Sequence, residues 1–184
     1  MDKKTSSSNL KVVIVNGRPG SGKTTFEKMC AEKMGQYCRI TSTIDGIKIV
    51  ARIGGWTGKK ELKDRKFLSD LKDLFTEYNN YPFNYVKDQI NEFEEDLRIY
   101  DIIDQPHVVF VDCREPQEIE KFKNYYGKNA ITLILRRPDT DFNETSNHAD
   151  EDVWKYKYDC IIENDGSLEE LNAKAEGFLD LIFS

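Results

Sequence analysis

A glycine-rich turn between an apolar run and a predicted helix constrains this chain more than any other feature. The apolar run covers residues 11–15, and the segment GRPGSGKT follows at residues 17–24. This segment satisfies the P-loop pattern G-x-x-x-x-G-K-[ST], and the residues from Thr25 onward predict a helix. Strand, glycine turn and helix in this order are the context that the pattern requires, so a chance match is the weaker interpretation.

Each residue type in this turn has a chemical reason to be there. Glycines let backbone N–H groups turn inward around a phosphate, and the helix N-terminus adds partial positive charge. Lys23 is expected to reach the β and γ phosphates of a nucleoside triphosphate, and the Thr24 hydroxyl to ligate Mg²⁺. We therefore expect ATP and Mg²⁺ as cofactors. The residues expected to bind the nucleotide are Gly17, Pro19, Gly20, Ser21, Gly22, Lys23, Thr24 and Thr25.

The composition limits the cellular compartments and the classes of partner that this protein is expected to have. The 184 residues suit a single domain, and the formal net charge of −6 argues against a general nucleic-acid or membrane surface. The four cysteines have no zinc or disulfide spacing, and Cys30, Cys113 and Cys160 are expected to be buried free thiols. No apolar stretch reaches membrane-spanning length, and residues 1–9 predict a short disordered tail rather than a signal peptide. We expect a cytoplasmic protein that binds small-molecule nucleotides, as a monomer or a homodimer.

Strand and helix patterns alternate along the chain. Apolar runs at residues 107–111 and 130–135 are continuous, as in parallel strands buried on both faces, while 38–43 and 160–162 predict weaker strands. Helical patterns separate these segments, and such alternation predicts a parallel sheet covered on both sides. The expected fold is α/β: a three-layer P-loop NTPase fold with a five-stranded parallel sheet and helices on both faces.

Two helical patterns interrupt this alternation between the second and third strands. In the first, Phe67, Leu71, Leu74 and Tyr78 form one apolar stripe at helical spacing. So much helix at this point predicts a substrate-binding insertion at about residues 45–100. We expect residues 10–184 to form one P-loop kinase domain with this helical insertion and a lid at about residues 137–158.

The third and fourth predicted strands end in charged residues, where open α/β sheets bind ligands. Asp112 follows the third strand and is expected to hold the Mg²⁺ water shell near Thr24, although it could also cap a helix over residues 115–125. Arg136 and Arg137 follow the fourth strand and could clamp the transferring phosphoryl group. The alternative is a solvated loop beside a surface salt bridge.

The polar stretch after the fourth strand predicts a lid that closes over ATP. It contains His148, a candidate for contact with the nucleotide base, although a lone exposed histidine is more often incidental.

Residues after the second strand are candidates for binding the acceptor. Arg52 and Arg65 could contact an anionic acceptor, with Trp56 available for stacking, although cations beside the apolar face of an ordinary helix would look the same. Lys72 borders the same stripe as Arg65. Asp45 could position an acceptor hydroxyl or a metal-bound water, but a cap for a helix starting at Gly46 is the favoured interpretation.

The second half of the chain resembles phage-type deoxynucleoside monophosphate kinases, within the nucleoside monophosphate kinase superfamily. Residues 112–118, DCREPQE, match the D-x-R-x-P-x-E segment of that family. Arg137-Pro138, the HAD segment at residues 148–150 and the NDGSLEEL segment at residues 164–171 follow in the family order. Family members usually carry Phe where this chain has Glu115, and residues 46–100 do not follow the family pattern.

The resemblance implies transfer of the γ-phosphoryl group of ATP to a nucleoside or deoxynucleoside monophosphate, with Mg²⁺. Arg114 would bind the acceptor phosphate or bridge the two nucleotides, and Arg136 or Arg137 would act from the lid. Lys23 completes the expected catalytic set. An acceptor phosphate is already ionised, so this chemistry needs positioning and charge neutralisation rather than a general base.

Two other functions remain open at this point. One is a P-loop kinase of another small metabolite, with a hydroxyl or phosphate acceptor and, for a hydroxyl, Asp45 as the base. The other is a nucleotide-binding switch without transfer chemistry, which would bind ATP but show no acceptor-stimulated production of ADP.

Overall fold

The computed structural model describes residues 9–59, 61–138 and 156–184. Most of the predicted tail and lid therefore lies outside the described residues. The strands are β1 (Leu10–Asn16), β2 (Cys38–Ser42), β3 (His107–Asp112), β4 (Ala130–Arg136) and β5 (Cys160–Glu163). The α-helices are α1 (Lys23–Met34), α2 (Asp45–Ile53), α3 (Leu62–Asn79), α4 (Tyr81–Ile99), α5 (Pro116–Tyr126) and α6 (Leu168–Phe183).

The five strands form one parallel sheet in the order β2-β3-β1-β4-β5. Leu10 pairs with His107 on one side of β1, and Val12 pairs with Ala130 on the other. The runs of β-branched and apolar residues explain this arrangement, because a strand covered on both faces has no solvent side to keep polar. All five predicted strands are confirmed to within two residues at each end.

Each face of the sheet has its own hydrophobic core, which makes the fold a three-layer α/β P-loop fold. On one face α4 and α5 pack against β1 and β3, with Ile90 and Phe122 fully buried. On the other face α1 and α6 cover the sheet, and the rings of Phe26 and Phe178 meet edge to face at 5.7 Å. Both faces of the sheet are thereby covered by helices.

Three helices lie between β2 and β3, but α3 does not bury the predicted stripe. Phe67, Leu74 and Tyr78 are 42%, 61% and 81% exposed, and the most deeply buried side chain of α3 is Lys72. The helix is rotated toward Lys72 because this lysine pairs with carboxylates of α5. The periodicity identified the helix correctly, while the choice of its buried face was wrong.

The last helix is confirmed with one correction. Ser167 and Glu170 form the predicted capping box at its start, but Leu168 is 63% exposed rather than buried. Cys160 is also only half-buried, whereas Cys30 and Cys113 are buried as expected. Within the described residues, no helix combines the length and apolar character needed to cross a bilayer.

Candidate active site

The carboxyl ends of the parallel strands meet at one edge of the sheet, where the charged residues predicted from the sequence are found. β1 lies between β3 and β4, so the segment that follows it, residues 17–24, is flanked by the ends of both neighbours. We call this segment the phosphate loop. In an open α/β sheet, ligands bind beyond the carboxyl ends of the strands where the strand order reverses, and the end of β1 lies at such a point.

Two glycines of the phosphate loop occupy positions that a side chain cannot share. Gly17 has φ +146°, and a Cβ there would lie 2.5 Å from the carbonyl oxygen of Leu135. Gly22 has φ +98°, and a Cβ there would lie 2.4 Å from the Nδ2 atom of Asn164. Only glycine combines these backbone angles with this clearance. Both positions therefore require glycine, as in a turn whose backbone approaches a phosphate closely.

The Lys23 side chain folds back over the phosphate loop. Its Nζ atom donates to the Gly17 carbonyl at 2.5 Å and to the Arg18 carbonyl at 3.2 Å. Thr24 and Thr25 are exposed in the first turn of α1. A cationic side chain, an exposed hydroxyl and a helix N-terminus fit the phosphates of ATP and a bound Mg²⁺.

Asp112 stands at the end of β3 among several charges. Burial raises the pKa of its carboxyl, while the neighbouring Lys23, Arg114 and Lys48 charges oppose this rise and Asp45 adds to it. Its backbone carbonyl accepts a hydrogen bond from Thr43 N at 3.2 Å, which ties the end of β3 to that of β2.

The alternative role of Asp112 as a helix cap is wrong. Helix α5 starts at Pro116, and the residue at its N-cap is Glu115. The metal role of Asp112 remains a prediction. Among the described residues no group of three or more His, Cys, Asp and Glu side chains could hold a metal. Mg²⁺ at nucleotide sites binds one or two carboxylates together with phosphates and waters, and Asp112 is a carboxylate that fits this pattern.

Glu27 is a buried carboxyl beside this site that the sequence analysis missed. It lies one turn into α1, is 1% exposed, and its Oε1 atom has no hydrogen-bond partner among the described residues. Burial, followed by the charge of Asp112, raises the pKa of Glu27 to about 8, against the opposing effect of Lys23. The available signal was a glutamate placed next to Phe26 and three residues before Cys30, which was expected to be buried.

Asp45 lies near Asp112, whose pKa its charge raises, but it does not cap a helix. Helix α2 starts at Asp45, one residue earlier than expected, and its N-cap is Ile44 without a side-chain hydrogen bond. The Asp45 carboxylate instead pairs with Lys48 at 2.9 Å. The favoured interpretation of Asp45 as a cap is therefore wrong, and its contact with an acceptor remains a prediction.

An aromatic pair on α4 stands next to Asp45. A Cβ on Gly46 would lie 2.8 Å from the Tyr85 ring and 3.0 Å from that of Tyr81, so both rings pack directly on this glycine. The two ring centroids are 6.2 Å apart. Burial and the nearby Asp45 carboxylate raise the pKa of Tyr85. Their spacing of four residues on one helix was a signal for a shared aromatic face.

The predicted stacking residue Trp56 is engaged elsewhere. Its ring lies 5.8 Å from the Arg52 guanidinium, and its Nε1 donates to the Lys59 carbonyl at 3.2 Å. Arg52 is roughly 10 Å along α2 from Asp45, given the rise of a helix. Arg65 is exposed in the first turn of α3, and no ion pair of its side chain occurs within the described residues. The structure thus brings Arg52 and Trp56 together, but not with Asp45.

The turn after β3, which carries Arg114, is held from two sides. Asn16 donates to the Arg114 carbonyl at 3.0 Å. From the other side, the Lys72 ammonium lies 2.6 Å from carboxylates of both Glu115 and Glu118. Lys72, predicted only to border an apolar stripe, therefore anchors α3 to the segment just after Arg114.

The two arginines at the end of β4 differ in their surroundings. Arg136 pairs with Glu163, its parallel-strand partner, at 3.2 Å, which is the surface salt bridge weighed from the sequence. Arg137 is exposed. Their action on a phosphoryl group remains a prediction, and His148 lies outside the described residues.

The sequence matches no protein-family model and none of the curated proteins. Among solved structures, the chain is similar to a thymidylate kinase from Ehrlichia chaffeensis, at 15% identity and TM-score 0.44, covering 93% of this chain and 99% of that one. It is also similar to a dephospho-CoA kinase from Campylobacter jejuni, at 17% identity and TM-score 0.47, covering 96% and 99%. A shikimate kinase from Acinetobacter baumannii in complex with shikimate gives 15% identity and TM-score 0.45, covering 94% and 93%. These similarities are weak. The fold assignment rests on the strand order and phosphate loop of this chain.

Proposed function

We propose that this protein transfers the γ-phosphoryl group of ATP to a nucleoside or deoxynucleoside monophosphate. The observation that carries the proposal is the convergence of Lys23, Asp112 and Arg114 at adjoining ends of β1 and β3. A phosphate loop alone would suit any nucleotide-binding protein. A second cationic residue beside the carboxylate at the end of β3 supplies a place for a second phosphate.

The residues of the site would act mainly by positioning. The glycines and Lys23 would hold the β and γ phosphates, while Arg114 would hold the acceptor phosphate in line with the γ phosphorus. A bound Mg²⁺, held through Thr24 and the water shell at Asp112, would neutralise charge on the phosphates. Lys48 lies beside Asp112 and would add positive charge on the acceptor side. The acceptor oxygen is already ionised, so no residue has to remove a proton from it.

The aromatic pair supports a nucleotide as the acceptor. The Tyr81 and Tyr85 rings lie on Gly46 beside Asp45, which places flat apolar surface next to the charged end of the cleft. A nucleoside monophosphate has the matching order of groups, a phosphate followed by a planar base. Tyr81 and Tyr85 therefore take the stacking role that the sequence analysis assigned to Trp56.

A hydroxyl acceptor is the second candidate, because Asp45 faces the same region as Asp112. Its carboxylate is paired with the Lys48 ammonium at 2.9 Å, which occupies a lone pair that a general base would use. The substitution Asp45→Asn separates the two functions. A hydroxyl acceptor requires the base and should lose about 100-fold or more in kcat, whereas a phosphate acceptor should retain most of it.

The deciding experiment measures ADP production from ATP and Mg²⁺ with a panel of NMPs, dNMPs and small hydroxylated or phosphorylated metabolites. Stimulation by a nucleoside monophosphate is the expected result. Lys23→Ala should lower kcat at least about 100-fold, while the matched control Lys28→Ala, an exposed lysine on the same helix, should not. Stimulation only by an alcohol would move the function to another metabolite kinase. ATP binding without any stimulated turnover would favour the switch.

A further inference from the structure

Asn16, the last residue of β1, makes hydrogen bonds to three separate segments of the chain. Its Oδ1 atom accepts from Gly17 N at 2.7 Å, and its Nδ2 atom donates to the Arg114 carbonyl at 3.0 Å and to the Tyr158 hydroxyl at 2.7 Å. The residue is fully buried. One planar amide therefore joins the start of the phosphate loop, the turn that carries Arg114 and the segment leading into β5.

These contacts leave Gly17 little freedom. On one side its amide is held by Asn16, and on the other the Leu135 carbonyl lies 2.5 Å from where its Cβ would be. The Arg114 carbonyl is held by the same amide group, so its distance from the loop is set by the dimensions of one side chain. Buried, fully satisfied hydrogen bonds of this kind fix the relative placement of the groups that they join.

We propose that Asn16 is a positioning residue that couples the phosphate loop to the Arg114 turn. ATP bound at the loop would then order the turn for the acceptor, and an acceptor phosphate at Arg114 would favour ATP in the reciprocal way. The inference rests on the proposed function, because it takes Arg114 as the residue that holds the acceptor.

The chemistry at this position requires an amide. It needs one acceptor for the Gly17 N–H and two donors for two oxygen atoms, which no other side chain of this size provides. In Asn16→Asp the Gly17 contact can remain, and the Tyr158 hydroxyl can turn to donate. When the new carboxyl is ionised, its second oxygen would face the Arg114 carbonyl without a proton between them, so this variant is measured at alkaline pH. This substitution therefore cuts the Arg114 contact selectively.

A second variant cuts a different contact. Tyr158→Phe removes the hydroxyl that Asn16 orients, and leaves the Arg114 hydrogen bond in place. Its matched control is Tyr156→Phe, because the Tyr156 ring lies 5.1 Å from that of Tyr158 but its hydroxyl donates to the exposed Glu120 at 2.8 Å. The control should behave as wild type in each measurement.

The test is backbone hydrogen exchange of the full chain with and without ATP and Mg²⁺. In the wild type, we expect nucleotide to slow exchange in both residues 17–24 and residues 112–118. In Asn16→Asp the first segment should remain protected and the second should lose most of its protection. Tyr158→Phe should lose part of it. With an acceptor identified, Asn16→Asp should raise the acceptor KM about 10-fold, with a change in ATP affinity of less than about 3-fold.

Two outcomes separate this inference from the proposed function. Equal nucleotide protection of residues 112–118 in wild type and in folded Asn16→Asp and Tyr158→Phe would overturn the coupling, whatever the turnover. The expected protection pattern without turnover on any acceptor would support the coupling as a link between the two segments and overturn the kinase function.

Discussion

The side-chain amide of Asn164 donates to the carbonyl of Ser21 at 2.9 Å and closes the phosphate loop from the side of β5. The same Nδ2 atom lies where it would come within 2.4 Å of a Cβ on Gly22, which also has a left-handed φ of +98°. The Asn164 side chain can therefore make this hydrogen bond only because residue 22 has no side chain. Asn164 belongs to the NDGSLEEL segment that carries part of the family resemblance, although no binding role was predicted for it.

The substitution Gly22→Ala should abolish ATP binding. Its cause is twofold, since alanine is strained at this φ and its methyl group overlaps Asn164. Adding Asn164→Ala should relieve the overlap but not the strain, so the double variant should recover binding only in part. Titration with a non-hydrolysable ATP analogue measures both effects.

Gly177→Ala is the matched control for that substitution. Gly177 lies within α6, and nothing lies within 4 Å of its added Cβ. This variant should bind ATP normally and gain about 0.5–1 kcal/mol in the free energy of unfolding. Normal ATP binding by Gly22→Ala would contradict the geometry described for the loop.

Glu27 should make the free protein less stable as the pH rises. Its pKa is about 8 in the folded protein and 4.5 in the unfolded chain, so the folded state holds a proton that the unfolded state releases. Its contribution to stability is complete below pH 4.5 and is lost as the pH rises through 8. Glu27→Gln should therefore change stability little at pH 4 and increase it by a few kcal/mol, as an order of magnitude, at pH 9.

Denaturant unfolding over this pH range, without nucleotide, measures the effect. Glu32→Gln alters an exposed carboxylate on the same helix and should leave the pH dependence of the wild type unchanged. Parallel pH profiles for Glu27→Gln and wild type would show that Glu27 titrates at the same pH in the folded and unfolded states and that its burial has no energetic consequence.

Lys72 should be far more important for stability than an ordinary lysine of a helix. Burial alone would lower its pKa, but the carboxylates of Glu118 and Glu115 outweigh that effect and raise it. Lys72→Met leaves these carboxylates without their partner, which should cost about 3–5 kcal/mol. Chemical denaturation with circular dichroism measures the loss.

Lys121→Met tests whether the loss of an exposed lysine contact between helices lowers stability as much as the loss of the buried Lys72 ion pairs. Lys121 of α5 donates to the Asn80 side chain at 2.6 Å, between α3 and α4, in an exposed position. This control should cost no more than about 1 kcal/mol. Similar losses for the two variants would mean that the buried charges add nothing to the joint between α3 and α5.

Gly46→Ala should weaken acceptor binding without affecting ATP. The new methyl group would lie 2.8–2.9 Å from the stem of the Tyr85 ring, which cannot move aside without shifting α4. We expect the acceptor KM to rise about 10-fold, with ATP affinity unchanged. Gly54→Ala, at the other end of α2 with ordinary contacts, is the control. A normal KM in Gly46→Ala would remove Tyr81 and Tyr85 from the acceptor site.

The difference between what could and could not be predicted follows from the range of the interactions. Strands and the phosphate loop are encoded in short runs, so residues 107–111 and 17–24 were sufficient to place them. The role of Asn16 depends on partners 98 and 142 residues further along the chain, which no local pattern contains. Periodicity likewise identified α3 but not its buried face, because Lys72 is buried through charges on α5.

The central place of β1 has a consequence for how the chain is made. β1 leaves the ribosome before both of the strands that flank it, which are residues 107–112 and 130–136. At about 5–20 residues per second, this strand and the loop behind it wait several seconds for either partner. During synthesis this apolar strand is thus unpaired, and a nascent-chain chaperone that binds extended apolar peptides would meet this protein at residues 10–16.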